Sequence, residues 1–312
     1  MIYRVRHTTR FTYAEPVGFA RCNLRLHPID WPGQQLIDYR LSVAPLGRTS
    51  AAPVPTPLAN VMRLVVEQPV TELAIESAAE VAVDRLVPVP DPSDPTLAEV
   101  AILARNSGDP SPAGPAAFLY PSPRIPLDAA IAEWCAPDLA PGANSLEAGI
   151  ALARRIQREF VFDAAATLVD TPPAQAFAQR RGVCQDFAQI MISGLRAAGL
   201  PAAYASGYIR TLPPPGQPRL VGADATHAWV LLWCGPVRGW VGLDPTNGIW
   251  MAGEHIVMAV GRDYADIAPV DGVVLGSGAQ RMDVSVDVEP LDEPLLPAVA
   301  AADGPIPSRS PR

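Results

Sequence analysis

The nine residues VPVPDPSDP, positions 87–95, separate two stretches of chain whose hydrophobic periods do not belong to one kind of structure. Proline fixes φ and offers no N–H, so four prolines in nine residues interrupt a ladder or a helix alike. Before this break the period is two. In YRVRHTTRFTY, Tyr3, Val5, Phe11 and Tyr13 share one parity and the arginines take the other, the mark of a half-buried strand. Strand-like runs recur at 23–27, 36–44, 61–67 and 73–83, with turn-rich segments at 28–33 and 45–59 between them. Five or six short strands of this kind predict an antiparallel β-sandwich over residues 1–86.

After the break the period becomes helical. Apolar residues fall at helical spacing over 97–105, 127–134, 146–160 and, after Cys184, within 177–198, the last ending at Gly199 with Pro201 beyond it, a strong stop signal. Asp94 stands as the cap-like acid before the first of them. Strands are expected at 202–209, 225–233, 240–243 and 284–288, with a loop at 213–218. The expected fold is therefore α+β: a β domain at 1–86, a mixed core at 96–288, and a Pro/Ala/Ser-rich tail at 289–312 expected to be disordered.

The charge balance narrows the partners. A formal charge of −8, with no long basic run, disfavours nucleic acid and anionic membrane. No stretch of about 18 uncharged apolar residues is present, so no membrane span is expected. Charges interrupt the N-terminal MIYRVRHTTRFTY and no apolar h-region follows, which reads as cytoplasmic. The four cysteines, Cys22, Cys135, Cys184 and Cys234, are widely spaced without a CxxC pair and are expected to be free thiols.

Cys184 differs from the other three in context. In RRGVCQDFAQIM, Gly182 permits a sharp entry and Cys184 opens a helix. Unpaired N–H groups and the positive end of the helix dipole favour thiolate there. His227 and Asp244 lie in THAWVLLWCGPVRGWVGLDPTNG. A two-residue hairpin loop at Gly235-Pro236 would set His227 opposite Asp244; a four-residue loop would shift the pairing by two but keep one face, and a three-residue loop would not. A carboxylate there fixes one imidazole proton and leaves the other nitrogen to take a thiol proton. The spacing thus points to Cys184 as nucleophile, His227 as base and Asp244 as its orienting acid. The Cys184 backbone N–H is the first candidate oxyanion donor, with the side chains of Gln185 and Trp229 as weaker ones. Trp229, on the His227 face, would also shield the pair from water. Asp186 reads as a first-turn acid and Asp224 as a rim or turn residue. His7, His27 and His255 show no comparable partners and read as structural or exposed. Cys184, His227, Asp244 and Asp224 are chemically able to bind zinc, but structural zinc sites use close pairs such as CxxC, and Cys184, His227 and Asp244 are separated by 43 and 17 residues, so no metal and no cofactor are expected.

The blocks RRGVCQDFA, LPAAYASGY, DATHAWV, GWVGLDPTN and GRDYADIAPV, with the N-terminal HTTRFTYAEPVGFARCNLRLHP, resemble the bacterial transglutaminase-like superfamily over about residues 1–288. The resemblance implies a papain-like core preceded by a β domain, and places the triad at Cys184, His227 and Asp244. It implies thiolate attack on a peptide or protein carboxamide through a thioester. The acceptor would be an amine, as in a transglutaminase, or water, as in a protease or deamidase. A binding module on the same fold is the non-enzymatic alternative. One departure stands out: TPLANVMRL has Ala59 before Asn60 where similar sequences carry Asp-x-x-Gly-Asn. No calcium loop of EF-hand spacing is present.

Overall fold

The computed structural model describes residues 1–51, 58–211, 220–221, 226–291 and 299–300. The period-two N-terminal region forms β1 (Ile2–Val17), β2 (Phe19–His27), β3 (Gln34–Ala44), β4 (Arg48–Ala51), β5 (Asn60–Val66) and β6 (Val70–Val83). Tyr3, Val5, His7, Thr9 and Tyr13 of β1 point inward while Arg6 and Arg10 face solvent, as the alternation requires.

After the proline break come α1 (Leu97–Arg105), α2 (Ala129–Cys135), α3 (Ser145–Glu159), β7 (Val161–Phe162), α4 (Pro173–Gln179), β8 (Arg181–Gly182) and α5 (Cys184–Ala197). The cap of α1 is Thr96, in a reciprocal box with Glu99; Asp94 instead receives Arg238. Next come β9 (Ala202–Ile209), β10 (Leu220–Val221), β11 (Thr226–Trp233), α6 (Gly235–Arg238), β12 (Trp240–Asp244), β13 (Ile249–Trp250), β14 (His255–Gly261), α7 (Tyr264–Ile267), β15 (Val270–Leu275), β16 (Gln280–Pro290) and β17 (Val299–Ala300). No helix among the described residues is long and apolar enough to cross a membrane.

The sandwich consists of two four-stranded sheets, in orders β16-β1-β6-β3 and β15-β2-β5-β4. Between them lie Tyr13, Val17, Leu24, Leu26, Leu64, Val66, Leu73 and Ile75. The expected domain limits need correction here. Residues 270–288, assigned to the core by position, leave it: β15 pairs with β2 and β16 pairs with β1 along eleven positions. The sandwich is thus closed by the C-terminal strands, because the first β segment alone leaves the edges of β1 and β2 unpaired. The tail also begins later than expected, since Glu289 and Pro290 belong to β16. Val299–Ala300 pair in parallel with Leu220–Val221, and residues 292–298 and 301–312 of the tail lie outside the described residues, as does the loop expected at 213–218.

The core sheet has the order β13-β12-β11-β9-β14. One set of its side chains, including Tyr204, Val230, Leu232 and Leu243, packs with the helices. The alternate set, including Ala205, Trp229, Leu231 and Val257, meets Ile29, Leu58 and Phe118. A third cluster joins Tyr208, Ile256 and Met258 to Tyr3, Val5, Val81 and Val288 of the sandwich. The sheet is buried between helices and sandwich, which accounts for its almost unbroken apolar strands.

Candidate active site

The chain approaches Cys184 through a constrained turn. Arg180 has φ +53°, a left-handed conformation unusual for a residue with a Cβ. Its guanidinium lies over the rings of Phe177, Trp134 and Phe160, at 4.1, 4.8 and 4.8 Å from their centroids, contacts that favour a cation. Arg181 and Gly182 pair with Val161 and Phe162. At Gly182 an added Cβ would lie 2.5 Å from Asp186 Oδ2, so glycine is required for the carboxylate to close over the turn. Asp186 Oδ2 accepts from the Val183 N–H at 2.8 Å and the Thr167 hydroxyl at 2.6 Å. The first-turn acid of the sequence is therefore a buried cap; burial raises its pKa against the pull of these two bonds.

Cys184 is the first residue of α5. The first helical bond runs from the Phe187 N–H to the Val183 carbonyl, at 3.1 Å. The N–H groups of residues 184–186 therefore open the helix without intrahelical partners. All four cysteines are free; Cys184 is partly exposed and the other three are buried. Burial pushes the Cys135 and Cys234 thiols up to about 12 and raises Cys22 as well.

His227 and Asp244 meet, by the register of the four-residue loop rather than the two-residue one. The loop between β11 and β12 contains the short helix α6, and Trp233 pairs with Trp240. The ladder is shifted by two from a two-residue hairpin, which preserves the face. His227 Nε2 donates to Asp244 Oδ2 at 2.8 Å. The other ring nitrogen, Nδ1, is left for the thiol, and Cys184 lies close enough to act on the His227 ring. Burial opposes the charged imidazole, but the bond to Asp244 and the negative charge of Asp244 and Cys184 outweigh it and raise the His227 pKa to about 10. Burial likewise opposes the Asp244 carboxylate, and the bonds from His227 and His255 overcome it and hold its pKa far below the usual range. Asp244 on one side and Cys184 on the other thus both favour the charged form of the imidazole over burial.

Asp244 is fully engaged. Besides His227, Oδ2 accepts from Asn247 Nδ2 at 2.6 Å and His255 Nε2 at 3.2 Å; Oδ1 accepts from the N–H groups of Thr246 and Asn247 at 2.9 and 3.1 Å. His255, read from sequence as lacking a partner, is thus corrected to a hydrogen-bond partner of Asp244. It lies eleven residues beyond Asp244 on a strand paired with β9, where hairpin register gives no clue. Its one visible signal was its place at the head of the apolar run HIVMAVG. His7 bonds Thr9 and Tyr208 at the interface with the sandwich, and His27 packs on Tyr39.

Two oxyanion candidates are also corrected. Gln185 Nε2 donates to the Val169 carbonyl at 2.9 Å, tying the neighbouring loop to the helix. Trp229 is fully buried and its indole N–H points to Met251 Sδ at 3.0 Å. Its ring stacks beside His227 at 6.0 Å and meets His255 edge-on at 5.2 Å, which suits it to excluding water. The Cys184 backbone N–H, at the opening of α5, precedes the first intrahelical bond. Among the described residues, His227, Asp244 and His255 form the group whose donor atoms converge closely enough for a metal, within 4.8 Å. Their mutual hydrogen bonds account for that convergence. Asp224 lies outside the described residues.

Residues 3–82 match the bacterial transglutaminase-like N-terminal region and residues 135–245 match the transglutaminase-like superfamily. An uncharacterized protein of Mycobacterium tuberculosis is 35% identical over 302 residues, 95% of each chain. The chain belongs to the transglutaminase-like superfamily. A second uncharacterized relative, from Mycobacterium leprae, is 31% identical over 289 residues, covering 91% of this chain and 97% of that one. A protein-glutamine gamma-glutamyltransferase of Pseudomonas aeruginosa is 44% identical over 71 residues, 22% of this chain and 10% of that protein. In fold, the chain matches a Cytophaga hutchinsonii protein put forward as a cysteine protease, with TM-score 0.74, 20% identity, and coverage of 96% of this chain and 93% of the other. The transglutaminase-like core thus contains Cys184, His227 and Asp244, and the preceding family region supplies β1–β6 of the sandwich.

Proposed function

We propose that this protein is a cysteine-dependent acyltransferase or amide hydrolase acting on peptide or protein carboxamides through a thioester. The observation that carries the reading is the His227 ring, held between a partly exposed thiol and a buried carboxylate. Imidazole so placed accepts the thiol proton on Nδ1 while Asp244 keeps Nε2 protonated.

In this reading the Cys184 sulfur attacks the carboxamide carbon, and the carbonyl electron pair moves onto oxygen. That oxyanion meets the N–H of Cys184 at the helix opening, where a fixed donor gains most in a water-poor site. As the C–N bond breaks, the imidazolium of His227 gives its proton to the departing ammonia or amine. The acceptor then attacks the thioester and returns a proton to His227 as the thiolate leaves. An amine acceptor yields a new amide, and water yields an acid. The buried ring of Trp229 beside His227 supports a site that limits access of water to the ion pair.

The test is mass spectrometry of wild-type protein and the Cys184→Ala variant incubated with a peptide library and a labelled primary amine. Amine incorporation, deamidation or cleavage that depends on Cys184 supports the reading and names the acceptor. Products formed equally by Cys184→Ala, or none with either protein, count against it.

A further inference from the structure

The tautomer of His255 can be read from its surroundings. The Ala252 N–H donates to His255 Nδ1 at 3.3 Å, and a backbone N–H can only donate. The ring proton is therefore on Nε2, facing Asp244 Oδ2 at 3.2 Å. The charged or titratable groups acting on the ring are Asp244, His227 and Arg85. Burial is the largest influence and lowers the His255 pKa; Asp244 opposes it, while His227 and Arg85 add to it. His255 is thus a neutral donor. It ties down the carboxylate without introducing a second cation to compete with His227.

The backbone that carries His255 is held from the other side of the proline break. β14 is the edge strand of the core sheet. Arg85 Nη1 donates to the carbonyls of His255 and Ala252, at 3.0 and 3.3 Å. Where the β14–β9 register breaks between Val257 and Ala259, the Gln34 amide donates to the Val257 carbonyl and accepts from the Val257 N–H, both at 2.8 Å. The Val260 N–H reaches the Leu58 carbonyl at 2.7 Å, and Ala59 bridges Ala259. The segment that departs from the usual turn sequence of similar proteins is therefore the one that docks on this strand.

We propose that His255 is a positioning residue that fixes the Asp244 carboxylate for His227, and that the N-terminal sandwich, through Gln34 and Arg85, sets the place of His255. The proposal rests on the functional reading above. It gives the sandwich a part in catalysis without contact with the reacting atoms.

Two measurements on the full chain test it. The first is ¹⁵N-histidine NMR of the wild-type protein across pH 5–8, with four histidines to resolve and His255→Gln for assignment. The expected signature is a neutral, Nε2-protonated His255 that does not titrate; an imidazolium or an Nδ1-protonated ring overturns the proposal. The second is the pH profile of Cys184 alkylation by iodoacetamide in wild type, His255→Phe, His255→Gln and Gln34→Ala. His255→Phe should slow alkylation at pH 6 by ~10-fold, the worth of one hydrogen bond to a charged group. His255→Gln, which restores an N–H donor, should recover most of the rate, and Gln34→Ala should fall between. A folded His255→Phe with the wild-type profile overturns the role of His255, and a folded Gln34→Ala with the wild-type rate overturns that of the sandwich. If His255→Phe does not fold, the native-chain NMR and Gln34→Ala still decide. Failure of wild-type Cys184 to react faster than the other thiols would instead strike the proposed function, while the NMR arm still judges the geometry.

Discussion

Asp244→Asn changes one oxygen to NH₂ in a fully buried group, and the structure sets the consequences. The carboxylate accepts from three donors on Oδ2 and two on Oδ1. An Asn can satisfy only one side. If its oxygen stays with the Thr246 and Asn247 N–H groups, its NH₂ faces His227, His255 and the Asn247 amide, donor against donor. His227 then loses the partner that keeps its proton on Nε2. The rise of the His227 pKa from 6.5 to about 10 is what remains after burial has opposed it, so at 1.36 kcal/mol for each tenfold the combined effect of Asp244 and Cys184 is at least about 5 kcal/mol. Half of that, ~2.5 kcal/mol, predicts Cys184 alkylation at pH 6 slower by ~100-fold. Stability carries a matching signature. Asp244 contributes above its unfolded pKa of about 3.9 and loses that contribution as pH falls. His227, with a folded pKa near 10, contributes fully below about 6.5 and loses its share as pH rises toward the folded value. The advantage of wild type over Asp244→Asn in urea unfolding should therefore peak between about pH 4 and 6.5. An advantage that is flat or grows from pH 6.5 to 10, or wild-type alkylation by the variant at pH 6, would refute this reasoning.

Trp229→Phe keeps a ring beside His227 and removes only an N–H already committed to Met251, so the turnover of any substrate found should change by less than about threefold; a loss near 100-fold would restore the indole as an oxyanion donor. Gly182→Ala puts a Cβ 2.5 Å from the Asp186 carboxylate, and the forced shift should cost about 1–3 kcal/mol in urea unfolding and slow Cys184 alkylation. His7 is buried between Thr9 and Tyr208, and burial lowers its pKa to about 4. Because the unfolded chain binds its proton more readily, stability should fall by up to ~3 kcal/mol as pH drops from 6.5 to 4; His7→Gln should flatten that part of the stability curve.

Much of this architecture was legible because it depends on local period. The parity of Tyr3, Val5 and Tyr13 predicted which face of β1 is buried, and Gly199 with Pro201 marked the end of α5. Cys184 was visible from its glycine and helix context. His227 and Asp244 were visible because they share a strand pair, even though α6 moved the register by two. What escaped depends on distant pairing. Nothing near 270–290 announces that these strands return to β1 and β2. His255 reaches Asp244 only because residues 251–254 lead the chain from β13 to the far edge of the sheet. The hydrogen bonds of Gln185 and Trp229 depend on where Val169 and Met251 come to rest, which no spacing rule supplies. Gly207 shows the same limit: it lies between His227 and Val257, and a Cβ there would press on the Trp229 ring at 2.7 Å.

The claim that an imidazole-activated thiolate resides at the head of α5 is tested most directly by site-resolved alkylation of the four cysteines at pH 6, in wild type and His227→Ala. Cys184 should react faster than Cys22, Cys135 and Cys234 by at least ~100-fold, as expected of a paired thiol against buried, inert ones, and His227→Ala should slow Cys184 alone, to the rate of an exposed thiol without an imidazole partner. Four similar rates in wild type, or a Cys184 rate unchanged by the loss of His227, would contradict the account.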